Sequence, residues 1–108
     1  MKTIKIFWTP FALSRIDEIF DYIADQARSA APANKLVSRI MKRTDQLIRF
    51  PESGQKEMLL QEIGQNSRYL LIGNYKIIYE YHKNENIIII TDVFHNRQNP
   101  KKLTLTDL

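Results

Sequence analysis

Three apolar runs joined by two short polar turns occupy residues 67–100, and this pattern restricts the fold more than any other part of the chain. Along Tyr75–Tyr81, large apolar side chains mostly alternate with polar ones, which is the period-two signature of a strand. Ile87–Ile90 is a β-branched run that is apolar on both faces, as is typical of a central strand covered on both sides. Gly73-Asn74 and Lys83–Asn86 have the composition of hairpin turns. The C-terminal half is therefore predicted to form a mostly antiparallel sheet.

The N-terminal third predicts a strand followed by an amphipathic helix. Residues 2–8 alternate in polarity and predict the strand. Thr9 then offers a capping hydroxyl, and Pro10 suits the first position of a helix that runs to about Arg28. Its apolar stripe recurs at three- and four-residue spacing and comprises Phe11, Ala12, Ile16, Ile19, Phe20, Ile23 and Ala24.

A second helix is predicted to begin at Pro32, because proline is tolerated in a first helical turn and disrupts a helix interior. Its apolar residues are Ala33, Leu36, Val37, Ile40, Met41, Leu47 and Ile48, and Phe50-Pro51 ends it. The short link predicts an antiparallel helical hairpin. The first helix is acidic on its outer face and the second is basic, so the two faces are expected to be solvated or to pair weakly.

Residues 56–63 fit a strand or a helix equally well, and Gly64-Gln65-Asn66 then breaks the chain before the strand that begins near Arg68. The predicted order is one strand, two helices, and three or four further strands. This is an α+β fold in which a helical hairpin packs on a mostly antiparallel sheet. At 108 residues, the chain is expected to form a single domain, 1–108.

Composition narrows the functional classes only slightly. The formal net charge of +4 permits a polyanionic or acidic partner without requiring one. There are no cysteines and two histidines, so a zinc site of the usual ligand types and a disulfide framework are not expected, and no cofactor is predicted. The apolar run Ile4–Trp8 is too short for a signal peptide or a membrane span. We expect a soluble cytoplasmic protein.

Candidate functional residues cluster at the exit of the most apolar strand. His95, Arg97, Lys101 and Lys102 follow Ile87–Ile90, so a rigid scaffold would present them. A histidine can donate or accept a proton near neutral pH, and an arginine can hold a phosphate through two nitrogens. Each residue also has a purely structural interpretation, such as a solvated basic end or a backbone hydrogen bond.

A series of short motifs lies along the chain. They are Trp8-Thr9-Pro10, Asp21-Tyr22-Ile23, Phe50-Pro51-Glu52-Ser53-Gly54, Arg68-Tyr69-Leu70, Tyr75-Lys76-Ile77-Ile78-Tyr79, and Val93-Phe94-His95-Asn96-Arg97 with Pro100. In this order and spacing, they resemble the ParE/RelE superfamily of toxins from bacterial type II toxin–antitoxin modules. The resemblance covers roughly residues 4–100. The long helical hairpin and the Phe-Pro-x-x-Gly turn are closer to the ParE branch.

The resemblance implies one of two activities, and either would be neutralised by a cognate antitoxin with a small, acidic binding segment. ParE-like members inhibit DNA gyrase, whereas RelE-like members cut mRNA on the ribosome without a metal ion. A third alternative is a non-toxic relative that has kept only a binding role. We favour the ParE-like activity, and the two others stay open.

The ribonuclease alternative would assign catalysis to Arg68, His95 and Arg97. Cleavage of RNA needs a group that activates the 2′-hydroxyl, a charge on the phosphate and an acid for the leaving oxygen. Glu57 and Glu62 lie where some RelE-like members carry a catalytic side chain, but no motif fixes either one. Under any toxic alternative, the residues expected to contact the target or the antitoxin are Arg68, Tyr79, His95, Arg97, Lys101 and Lys102.

Overall fold

The computed structural model describes residues 3–58 and 66–96, in which helices pack on one face of a five-stranded sheet. No helix in these two ranges is long and apolar enough to span a membrane. The elements, in chain order, are β1 (Lys5–Trp8), α1 (Pro10–Ala27), α2 (Ala30–Arg43), α3 (Gln46–Arg49), β2 (Gln55–Lys56), β3 (Ser67–Ile72), β4 (Tyr75–His82) and β5 (Ile87–His95).

The strands lie in the order β1-β5-β4-β3-β2. β1 pairs with β5 in parallel, and the three other pairs are antiparallel. The predicted α+β fold, with a helical hairpin on a mostly antiparallel sheet, is therefore confirmed. Of the region 56–63, for which the sequence allowed a strand or a helix, Lys56 is the second residue of the two-residue strand β2. Residues 59–65 lie outside the described part of the chain.

The start of α1 agrees with the sequence. The Thr9 hydroxyl accepts a hydrogen bond from the Ala12 backbone N–H at 3.0 Å, and Pro10 occupies the first helical position. At the other end, Arg28 takes a left-handed conformation with φ of 53°, and its N–H bonds to the carbonyls of Ala24 and Asp25. This left-handed residue ends α1 and turns the chain back into α2.

The second helix differs from its prediction at both ends. It begins at Ala30 rather than at Pro32, because the Ser29 hydroxyl caps it and Pro32 still falls in the permissive first turn. It ends at Arg43 rather than near residue 49, and α3 follows as a separate turn. The Thr44 hydroxyl donates to the Met41 carbonyl at 2.7 Å, a side-chain bond that competes with helical pairing at this point.

The core lies between the hairpin and the sheet. Tyr75, Tyr79 and Tyr81 all point toward this core, as their spacing on one strand predicts. The acidic and basic faces of the hairpin do not pair, since none of the ion pairs within the described residues joins α1 to α2. The buried residues of the central cluster are Ala12, Ile16, Ile40, Leu47, Leu70, Ile77, Tyr79, Ile88, Ile90 and Val93.

Over Ile87–Ile90, strand β5 is fully buried on the face toward the helices and partly buried on the other face, where the sequence predicted a strand covered on both sides. Ile88 and Ile90 are fully buried, whereas Ile87 and Ile89, on the other face of the strand, are half-buried. Beyond them, the register shifts: Tyr79 pairs with Ile90 and Ile78 with Asp92. The extra residue, Thr91, forms a bulge that bends the strand before it reaches His95.

Candidate functional site

One group of candidate residues holds the turn that follows α3. The Arg68 guanidinium donates through Nη1 to the carbonyls of Glu52 at 3.1 Å and Gly54 at 2.9 Å. The Tyr79 hydroxyl accepts from the Gly54 N–H and donates to the Pro51 carbonyl, both at 2.9 Å. We call this arrangement of Pro51–Gly54, Arg68 and Tyr79 the turn clamp. It satisfies four backbone groups that the turn cannot pair internally.

Tyr79 has a structural role in the clamp and offers no surface to a partner. Its exposed fraction is 0 %, so the expectation that it contacts a target or an antitoxin does not fit the structure. Burial raises the pKa of the Tyr79 phenol, while the Gly54 hydrogen bond and the charge of Arg68 lower it to a smaller extent. The phenol therefore stays neutral and can donate one bond and accept another.

Gly54 explains why the clamp needs glycine at its centre. A Cβ atom at this position would lie 2.6 Å from the Tyr79 ring and 2.7 Å from the Tyr69 carbonyl oxygen. Both neighbours are held by packing or by the sheet, so neither can move aside cheaply. The glycine of the Phe-Pro-x-x-Gly motif is thus required for packing between the turn and Tyr79 of β4.

His95 is the last residue of β5 and pairs with Tyr75, the first residue of β4, beside a cleft of about 270 Å³. Its ring meets the Tyr75 ring edge-on, with centroids 5.1 Å apart and an interplanar angle of 78°. Exposed Tyr22 of α1 forms part of the other wall. The cleft is lined by Arg15, Glu18, Ile19, Tyr22, Tyr75, Val93, Phe94 and His95. We call it the His95 cleft.

Arg15 fixes the position of α1 above the His95 cleft. Its Nε donates to the Asp92 carboxylate at 2.9 Å, while Nη1 lies 3.6 Å from Glu18 and the guanidinium lies over the Phe11 ring. Within the cleft, burial raises the pKa of the Tyr75 phenol, and the nearby Tyr22 hydroxyl raises it further. The cleft therefore presents neutral aromatic rings, a surface suited to contact with another protein.

The structure separates Arg68 from His95. Arg68 pairs with Tyr79, whereas His95 pairs with Tyr75. These partners are four residues apart on β4, which corresponds to about 13 Å along the strand. Arg68 and His95 also lie on opposite sides of β4, because β3 and β5 flank it. One phosphate cannot contact both residues in this conformation.

Most of the remaining predicted site residues lie outside the described part of the chain. Arg97, Lys101 and Lys102 lie beyond residue 96, and Glu62 lies within 59–65. Glu57 is described and is buried, and its carboxylate lies 2.6 Å from the Lys76 ammonium, which sits above the Tyr69 ring. The described residues contain no group of three or more side chains placed to hold a metal ion.

Sequence reasoning missed several residues of these two sites. Arg15, Asp92 and Tyr22 were not singled out, although Tyr22 stands within the motif Asp21-Tyr22-Ile23. Their partners are distant in sequence: 77 residues separate Arg15 from Asp92. An arginine on the core-facing side of an apolar helix stripe is the one local signal that could have indicated a buried acidic partner.

Comparison with known families decides the relationship. Residues 6–100 match the family described as ParE toxin of type II toxin-antitoxin system, parDE. The chain belongs to the ParE toxin family. The match includes the turn clamp and the described part of the His95 cleft, and it confirms the ParE-branch resemblance of the motifs.

Two similar proteins agree with this membership. Y4kP of Sinorhizobium fredii, a protein named as a toxin, is 30 % identical over 103 residues, which cover 95 % of this chain and all of the relative. A solved structure titled as a chromosomal ParDE TA system from P. aeruginosa superposes with a TM-score of 0.70. The match has 18 % sequence identity and covers 85 % of this chain and 95 % of that chain. The two proteins therefore share the same fold.

Proposed function

We propose that this ParE-family toxin arrests growth by inhibiting DNA gyrase and that a cognate antitoxin neutralises it in the cytoplasm. The hydrogen bonds of Arg68 are the observation that favours gyrase inhibition over RNA cleavage. The ribonuclease alternative needs this cation on the scissile phosphate, yet its Nη1 is bound to two carbonyls of the turn clamp.

The geometry of the other candidates supports the same choice. Metal-free RNA cleavage needs a base, an acid and a phosphate-binding cation within reach of one phosphodiester. His95 is separated from Arg68 by about 13 Å along β4 and by two strand spacings across the sheet. Glu57 is buried and paired with Lys76. The described residues thus form surfaces that can bind another protein, and they do not bring the groups needed for RNA cleavage together.

On this proposal, gyrase is recognised by the sheet end that carries His95. Its cleft has exposed aromatic surface and lies directly before Arg97, Lys101 and Lys102, which add positive charge in sequence. Aromatic and arginine residues are the side chains that most often dominate protein–protein interfaces.

Purified toxin in a gyrase supercoiling assay tests the proposed target. We expect loss of supercoiling and accumulation of cleaved DNA in a toxin-dependent manner. In parallel, induced cells should show DNA damage before protein synthesis stops. Unaffected gyrase with cleaved mRNA would favour the ribonuclease, and normal growth after induction would favour a non-toxic relative.

The antitoxin is tested by expressing the toxin with the product of the neighbouring reading frame. We expect the two proteins to purify together and growth to be restored. The control is the same reading frame with an early stop codon. Growth arrest that persists in the presence of the intact partner would contradict the proposed module.

A further inference from the structure

Strand β1 ends the sheet on one side, and its outer edge has no strand partner in the described part of the chain. Helix α1 leaves the end of β1 at Pro10 and packs on β5 and α2, away from this edge. Natural proteins block such edges with prolines, bulges or charges. β1 has no proline and pairs with β5 without a register shift, and Lys5 is its one charged residue. A further strand can therefore pair with it.

The hydrogen bonds to β5 determine which backbone groups of β1 face outward. The N–H groups of Lys5 and Thr9 donate to carbonyls on the β5 side, at 3.1 Å and 3.0 Å. Backbone groups alternate between the two sides of a strand, so Ile6 and Trp8 direct both their N–H and their C=O groups to the open edge. Their side chains pack against the core. The edge thus presents the backbone of two residues, one on each side of Phe7.

Phe7 has the most exposed large apolar side chain on the described strands. Its exposed fraction is 50 %, and it points to the face opposite Ile6 and Trp8, because successive side chains of a strand alternate. In the register with β5 it lies beside half-buried Ile89, and half-buried Ile87 is on the same face. These isoleucines and Phe7 form an apolar patch that reaches the open edge of the sheet.

The edge of β1 is self-complementary about Phe7. When a second copy lies antiparallel along the edge, with a two-fold axis through Phe7, Ile6 is opposite the partner's Trp8. Both residues face the partner with an N–H and a C=O group, so they form a hydrogen-bonded pair, and the axis repeats this pair. Phe7 and the partner's Phe7 then form a non-hydrogen-bonded pair, in which side chains approach most closely and aromatic rings interact favourably.

Charge and backbone direction favour this register over its neighbours. With the axis at Phe7, the two Lys5 residues lie about 13 Å apart along the strands, which exceeds the Debye length of about 8 Å at physiological salt. With the axis at Ile6, that separation falls to about 7 Å and the two Phe7 rings no longer meet. An axis between these residues would place Ile6 opposite the partner's Phe7, whose backbone groups already face β5.

We infer that β1 is a self-association surface, through which two copies of the toxin form one continuous sheet with both helical hairpins on the same face. Each copy contributes one short strand, so the contact is smaller than the standard interface of about 1,600 Å². The dimer is therefore weak and depends on concentration. The inference does not depend on the proposed target, since His95 lies at the end of β5, beyond the residues that pair with β1.

Single-cysteine variants of the full-length toxin test the register, because the chain has no cysteine of its own. In the proposed dimer the two Phe7 Cα atoms lie about 4.5 Å apart, a distance that a disulfide spans. Phe7→Cys should therefore form a covalent dimer under mild oxidation. Lys5→Cys is the matched control on the same face of β1, and it should stay monomeric because its Cα atoms are about 13 Å apart or more. Equal cross-linking of the two variants would overturn the inference.

Sedimentation equilibrium over a range of concentrations measures self-association without a cross-link. Phe7→Lys removes the aromatic pair and places two cations at the axis, so the dissociation constant of the dimer should rise at least about tenfold. Leu71→Lys makes the same kind of change at an exposed apolar residue of β3, which β5 and β4 separate from β1. This control should leave the dissociation constant within about twofold of its original value.

Thermal melts of the lysine variants verify that each remains folded. An unmodified toxin that sediments as a monomer at millimolar concentration would overturn the inference. Equal weakening of the dimer by Phe7→Lys and Leu71→Lys would also overturn it, because the association would then not be specific to the edge of β1.

Discussion

The turn clamp and the His95 cleft, two sites along strand β4, use their candidate residues in opposite ways. At the turn clamp, Arg68 and Tyr79 direct their polar atoms inward to backbone groups of Pro51–Gly54. At the His95 cleft, aromatic and polar side chains line an open space between α1 and the sheet. Both sites carry family motifs, yet the polar atoms of Arg68 and Tyr79 bond to backbone groups, whereas the side chains of the cleft border an open space. A motif can therefore mark a packing requirement as readily as a functional one.

The largest effect is expected from Gly54→Ala. The added methyl group would lie within 2.6 Å of the Tyr79 ring, so the turn must move away from β4. Overpacking of this kind costs about 3 kcal/mol, and the lost hydrogen bonds of the clamp add to that. Urea denaturation measures the free energy of unfolding. Gly73→Ala is a weaker control, since nothing lies near its Cβ position and only its positive φ is strained.

Tyr79→Phe is expected to lower the free energy of unfolding by about 2 kcal/mol. The change keeps the ring but leaves the Gly54 N–H and the Pro51 carbonyl without their partner. Tyr81→Phe is the matched control on the same face of β4, and it should cost less than about 0.5 kcal/mol. Equal effects of the two substitutions would show that the clamp adds nothing to stability.

The pH dependence of the same two variants sharpens this result. The folded-state pKa of Tyr79 is raised above its ordinary value of 10.0, so its contribution is complete below pH 10 and is lost as pH rises through the folded-state pKa. The unmodified protein should therefore lose stability above about pH 10 more steeply than Tyr79→Phe. Parallel profiles above that pH would contradict the assignment.

The smallest effect on stability is expected at the cleft. His95→Ala removes the edge-on ring contact with Tyr75, and we expect it to lower the free energy of unfolding by about 1 kcal/mol. Growth arrest, by contrast, should weaken more for His95→Ala than for His82→Ala, an exposed histidine of β4 whose Nε2 lies 3.0 Å from Glu80. Unchanged toxicity in His95→Ala would show that His95 and its cleft are not part of the target interface, and the cleft would then resemble the turn clamp in having only a structural role.

Local patterns were enough to predict the layers of this fold but not the roles of its polar residues. Alternation identified β4, and Thr9-Pro10 identified the start of α1, since both signals depend on neighbours in sequence. The break at Thr44 depends on one side-chain bond to a nearby carbonyl, which helix periodicity does not register. Arg68 donates hydrogen bonds to carbonyls that lie 14 and 16 residues earlier in the chain. At such a separation, the sequence does not distinguish an arginine that holds a turn from an arginine that binds a phosphate.

The parallel pairing of β1 with β5 has a consequence for how the toxin is made. Residues 5–8 pair with residues 87–90, which follow 82 residues later in the chain. Contacts between such distant segments form late, because closing a long loop costs entropy before any contact stabilises it. The α1–α2 hairpin joins two helices that are adjacent in sequence, so its contacts do not depend on the late pairing of β1 with β5. During synthesis, the helical hairpin can therefore form before the sheet is complete, and β1 stays unpaired until residues 87–90 have been made.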